Sequence, residues 1–342
     1  MNVADLARDP AWFADNFDPQ KKTISFVHLD RARISGAPFL DQRFDRTGAP
    51  REDASLDALD AALQPGPPSL DFIWHTSFCC STLIAHALDA PGKNLALREP
   101  GITMTLAAAK RAGWFDARQL GDKLPSTIFR LLARRFSENE RILVKPTNTV
   151  NTLIADAARL TNGKMLFLYS GARDFLASIA RKKLDGHIFA RKLFSIFAGD
   201  GDPLGKLAPQ QLFEMSDLQI AALVWQMQMG HFRRMMAVLG PRAASLDCAR
   251  FLADPKATLA RLDAFFGLDL GAAHIETAVS GPMFSRNAKN ESESYDPEAR
   301  ARDNEAMAAM IGPDLERVIA WSYQAAPDAP RALPNPLDGG AR

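Results

Sequence analysis

The chain has 342 residues, 47% hydrophobic and 24% charged, which is enough apolar material for a sizeable core. Its 41 Lys and Arg residues balance 40 Asp and Glu, a net charge of +1, and this argues against a nucleic-acid binder with its usual basic excess. The three cysteines, Cys79, Cys80 and Cys248, have the spacing of neither a zinc site nor a disulfide framework. No stretch approaches the roughly 18 apolar residues of a membrane span, and residues 1–17 lack a leader's apolar run. The expectation is a soluble, cytoplasmic protein in a reducing compartment, with no membrane partner.

In chain order, residues 22–29 (KTISFVHL) read as a strand, 31–51 as loop or short hairpin, and 56–63 as a short helix. Pro65-Gly66-Pro67-Pro68 then breaks the chain and marks the end of an N-terminal arm, residues 1–68. From residue 69 the pattern alternates. Apolar runs at 70–74, 95–97, 141–144 and 165–169 are separated by helical patterns at 81–88, 116–136 and 150–160, with another at 173–184. Continuous apolar strands between helices indicate a parallel sheet covered on both faces, with ligands beyond the strands' carboxyl ends. Residues 210–239 form the longest helical pattern, whose methionines suit core packing or an adaptable surface. A last strand at 243–246, a helix at 255–266, a polar loop at 280–299 and a helix at 304–323 follow. The expected fold is a P-loop-like three-layer α/β/α domain over 69–325, with a mainly parallel central sheet and C-terminal helices. The Pro- and Gly-rich residues 326–342 read as a poorly ordered tail.

The informative segment is LDFIWHTSFCCSTLIAHAL, where a strand runs through a turn into Ser81-Thr82 and a helix. Such a junction offers backbone N–H groups and hydroxyls to a phosphate; an ordinary capped helix is the alternative. The kinase and ATPase loop, with two glycines and a lysine, is not matched.

This segment resembles the phosphosulfate loop of the sulfotransferases, which use 3′-phosphoadenosine 5′-phosphosulfate (PAPS). Ser77, Phe78, Cys79, Cys80, Ser81, Thr82 and Leu83 keep the loop's Ser-Thr-Leu end. Cys79 stands for serine, Cys80 for glycine and Phe78 for the basic residue. Further stretches follow in the family's order: Leu97-Arg98-Glu99-Pro100, Leu143-Val144-Lys145-Pro146, the YSGARDFLAS segment at 169–178, and the strand, Asp-Pro, helix and Phe-Gly-Leu run at 245–268. Ser170 stands where the family's 3′-phosphate arginine would be, with Arg173, Arg181 and Lys182 as substitutes, and Ser178 matches its serine.

The resemblance implies PAPS as co-substrate, no metal, and a small-molecule or sugar-like acceptor bearing a hydroxyl or amine. Residues 77–82 would receive the 5′-phosphosulfate. Ser170, Arg173, Ser178 and Lys289 would meet the 3′-phosphate. Glu99 is either the general base for the acceptor, a helix-start carboxylate or a structural partner of Arg98. Lys145 is either an oxyanion-type cation or a solvated lysine. His75 is either an acid, base or donor to the sulfonyl group or a ligand of the loop backbone. Cys79 and Cys80 read as small loop residues rather than nucleophiles. Two other readings stay open: a non-catalytic nucleotide-binding protein of the same fold, and a kinase-like phosphotransferase.

Overall fold

The computed structural model describes residues 2–281, 284 and 297–337. It contains a three-stranded antiparallel sheet, β1 (Trp12–Asp18), β2 (Thr23–His28) and β3 (Arg51–Ser55), in that order. It also contains a five-stranded parallel sheet of β4 (Asp71–His75), β5 (Asn94–Arg98), β6 (Arg141–Lys145), β7 (Met165–Tyr169) and β8 (Ala243–Asp247), ordered β5-β6-β4-β7-β8. The α/β class with a parallel central sheet is therefore as expected. β1 and the helix Gly101–Arg111 went unread from the sequence. So did the helix Arg31–Gly36, in the segment read as loop or hairpin. The reading of 116–136 as one helix is corrected to turns followed by Lys123–Leu132.

The chain divides into two compact units: Met1–Trp74, Thr82–Met165 and Leu259–Thr277 in the first; His75–Ser81, Leu166–Thr258 and Ala278–Arg342 in the second. Residues 1–68, read as an arm, fall within the first unit rather than apart from it. Physical chemistry explains why. Arg98, at the end of β5, is 0% exposed, and its guanidinium donates to the carbonyls of Ile34, Ser35 and Ala37. Arg46 binds Asp15 and the carbonyls of Leu40, Asp41 and Phe44. Backbone bonds Leu40 N–H to Arg98 O (2.8 Å) and Gly101 N–H to Leu40 O (3.1 Å) pin the same segment to the end of β5.

In this first unit β5 and β4 flank β6 in parallel register, Leu97 opposite Val144 and Phe72 opposite Val144. All three strands are buried on both faces apart from Arg141 at the rim, which is why they read as continuous apolar runs. Phe72 and Trp74, two residues apart and so on one face, stack at 5.1 Å. Gly163 is required where the chain passes β4: a Cβ there would lie 1.8 Å from the Leu70 carbonyl oxygen.

The second unit carries β7, β8 and long helices. Ser216 caps the helix Asp217–Leu239 and so splits the stretch read as one helix over 210–239. Met227, Met229 and Met236 on it are buried, the core-packing alternative. Trp225 donates to the Ser170 carbonyl at 2.8 Å, and Phe232 packs on Phe167. Residues 335–337 pair with β8: Ser245 N–H donates to Asn335 O, Leu337 N–H to Ser245 O, and Leu333 is buried. No helix among the described residues is long and apolar enough to cross a membrane.

Candidate functional site

In the second unit the chain leaves β4 through a turn whose backbone is unusual. Ser77, Phe78 and Cys80 have φ of 78°, 55° and 61°, the left-handed region that side chains with a Cβ pay to enter. Turns that alternate left-handed and right-handed residues can gather backbone N–H groups around an anion. The cysteine aligned with the family's glycine thus holds a glycine-like conformation. His75, buried at the strand end, accepts from the Ser77 N–H through Nδ1 at 3.1 Å. This is the loop-ligand alternative for His75, and it commits the Ser77 amide to the protein itself.

Phe78, in the place of the family's basic residue, sits against Phe175 and Phe189 at ring distances of 5.8 Å each. The Lys182 ammonium lies 6.0 Å from the centre of its ring. A cation therefore reaches this turn from the helix boundary at 182 rather than from position 78. Ser170 and Ser178 are buried, and neither hydroxyl has a hydrogen-bond partner. Arg173 is half exposed and paired with Glu316 at 2.8 Å. Lys289 lies outside the described residues.

The first unit holds the other candidates. Thr82, one residue into the helix Ser81–Ala87, is buried with its Oγ1 unpartnered; Ser81, the last residue of the second unit's turn segment, is also buried. Glu99 follows β5 with φ of 51°, just before the helix Gly101–Arg111. The backbone pairing that carries Glu99 N–H to Lys145 O (2.7 Å) brings the two side chains together, and Lys145 Nζ donates to Glu99 Oε1. Lys145 is 1% exposed, which removes the solvated-lysine alternative. Glu99 Oε2 accepts from Arg43 at 2.6 Å, and Arg43 also binds Asp41 at 2.5 Å while lying 3.6 Å over the Phe39 ring. Burial pulls the Arg43 pKa down, but Asp41 and Glu99 outweigh it and hold it above the ordinary value. Arg98, named as the structural partner for Glu99, instead clamps residues 34–37 and Asp89.

The sequence reading did not single out Arg43, Asp41 or Phe39. They lie in a segment with no periodicity, and only its richness in arginine, aspartate and phenylalanine sets it apart. His86, on the helix Ser81–Ala87, was also missed; burial first, then Arg98 and Lys145, lower its pKa to about 3, so it stands neutral.

No family model matches the chain, and no curated protein matches it. Among solved structures it is similar to the sulfotransferase domain from the curacin biosynthetic pathway, at 12% identity and a TM-score of 0.42. That match covers 72% of this chain and 99% of that one. It is also similar to the sulfotransferase domain of the Synechococcus PCC 7002 olefin synthase, at 13% and 0.40 over 73% and 96%. A sulfotransferase from Alicyclobacillus acidocaldarius matches at 13% and 0.38 over 76% and 97%.

Proposed function

We propose that the protein transfers a sulfonyl group from PAPS to a hydroxyl, or an amine, of a small or sugar-like acceptor. One observation carries the reading. Among the described residues, the buried side-chain hydroxyls left without a hydrogen-bond partner are those of Thr82, Ser170 and Ser178. A buried hydroxyl without a partner costs about 1–3 kcal/mol, a cost that a bound phosphate would remove. These are three of the positions that the sulfotransferase resemblance assigns to the nucleotide's phosphates.

In this reading the left-handed turn at 77–80 and the hydroxyls of Ser81 and Thr82 receive the 5′-phosphosulfate. Ser178 and Ser170 receive the 3′-phosphate, with Arg173 joining once it leaves Glu316. The co-substrate supplies an activated sulfonyl group. Glu99 takes the acceptor's proton, and it can do so only as it gives up a cation partner. Lys145 is that partner: swinging from Glu99 toward developing negative charge leaves the carboxylate basic at the moment a base is needed. Lys182 supplies charge near Phe78, where the family's basic residue is missing.

A second reading has its own observation. Phe78 is held among Phe175 and Phe189 rather than presenting a cation, as suits a nucleotide-binding protein without turnover. Thermal unfolding with adenosine 3′,5′-bisphosphate, against ATP with Mg²⁺, tests both. At 100 times its dissociation constant a ligand adds about 2.7 kcal/mol. Stabilisation by the bisphosphate is expected. Stabilisation by ATP with Mg²⁺ alone overturns both readings, and bisphosphate binding with no sulfonyl transfer to any hydroxyl or amine acceptor favours the second.

A further inference from the structure

Cys80 and Cys248 are 168 positions apart in sequence, yet their sulfurs lie 3.1 Å apart. Both belong to the second unit. Cys80 ends the left-handed turn after β4; Cys248 opens the helix Cys248–Ala253 directly after β8. Neither is in a disulfide in this structure. Sulfurs of a disulfide sit about 2.05 Å apart, so closing the bond requires a movement of only about 1 Å. The accessibilities differ in a useful way: Cys80 is partly exposed, whereas Cys79 and Cys248 are buried.

We propose that Cys80 and Cys248 are a site of reversible oxidative modification, forming an intramolecular disulfide that ties the turn after β4 to the segment after β8. The partly exposed Cys80 reacts first. Its thiolate attacks a peroxide oxygen, the O–O bond breaks, and Cys80 becomes a sulfenic acid with release of one water. The Cys248 sulfur, already at 3.1 Å, then displaces the sulfenic oxygen as a second water. Two thiols give up two electrons and two protons, and the peroxide takes both. A disulfide oxidant such as oxidised glutathione gives the same bond through a mixed disulfide, releasing two thiols. A dithiol reductant reverses the reaction. In a reducing compartment such a bond is transient, the usual form of regulatory disulfides there.

The disulfide forms whatever the substrate, and it is read chemically. The full-length protein is treated with hydrogen peroxide or with oxidised glutathione and analysed by mass and by counting thiols after denaturation. The count is expected to fall from three to one in a monomer that has lost two hydrogens, and dithiothreitol is expected to restore it. Cys79→Ser should still form the bond, while Cys80→Ser and Cys248→Ser should not. Because Cys79 and Cys80 are adjacent, these variants assign the bond where peptide mapping alone does not. A protein that keeps three thiols overturns the proposal. So does a bond that survives Cys80→Ser or Cys248→Ser, or one that joins two molecules.

Discussion

Charge at single residues is the feature of the first unit that the proposed function is built on. Lys145 is buried and Glu99 nearly so, and a buried pair is stable only while its members satisfy one another. His86 belongs to the same environment. It stands neutral because burial, then Arg98 and Lys145, push its pKa from 6.5 to about 3. The sign for stability follows from proton counting. The unfolded chain takes up a proton as the pH falls through 6.5, and the folded protein does not until about pH 3. The stabilisation is therefore complete above pH 6.5 and is lost as the pH falls from there toward 3. At about pH 4.5 the loss amounts to about 2–3 kcal/mol, from 1.36 kcal/mol per pKa unit. Urea unfolding at about pH 7 and pH 4.5 should show His86→Gln losing less stability on acidification than the parent. Equal losses in the two proteins would refute this account of His86.

At the scale of elements, the turn after β4 shows what the sequence reveals and what it conceals. Strand β4 is a continuous apolar run buried on both faces, and such strands are legible because burial leaves periodicity no role. The turn was legible as a strand-to-helix junction through Ser81-Thr82; the left-handed backbone at Ser77, Phe78 and Cys80 was not, because these residue types are not the ones that favour it. The helix Gly101–Arg111 was hidden for a related reason, since it starts at Pro100-Gly101 without a side-chain cap. If Cys80 occupies a glycine conformation under strain, Cys80→Gly relieves a cost of about 1 kcal/mol, partly offset by the added freedom of the unfolded chain. Cys80→Val instead forces a β-branched residue into the left-handed region. Under reducing conditions, Cys80→Gly should unfold at or above the parent's denaturant midpoint and Cys80→Val below it. A valine variant as stable as the glycine variant would show that the turn relaxes to another conformation.

For the whole molecule, chain order and compact units do not coincide. Pro65-Gly66-Pro67-Pro68 looks like a boundary because composition reports local stiffness, whereas unit membership is decided by long-range partners that composition does not encode. Arg98 is the residue that decides it. Its guanidinium is 0% exposed, and its carbonyl partners at residues 34, 35 and 37 all precede residue 68. Burial lowers its pKa, with Asp89 the compensating anion at 3.3 Å. Arg31 adds a second tie, binding Glu140, Asp89 and the Asn94 carbonyl. A fragment of residues 69–342 keeps the parallel strands and the 335–337 pairing with β8 but takes these partners away. An unsatisfied buried charge costs about 3–5 kcal/mol, a large share of the 5–15 kcal/mol that holds a typical domain together. β1 packs on the helices Gly101–Arg111 and Lys123–Leu132, and baring those contacts adds to the loss. The fragment should therefore show no cooperative unfolding transition by circular dichroism, while co-expression with residues 1–68 as a separate chain should restore one. A fragment that melts cooperatively on its own would establish the boundary at residue 68 after all, and would mean that Arg98 finds solvent or new carbonyls once the segment is gone.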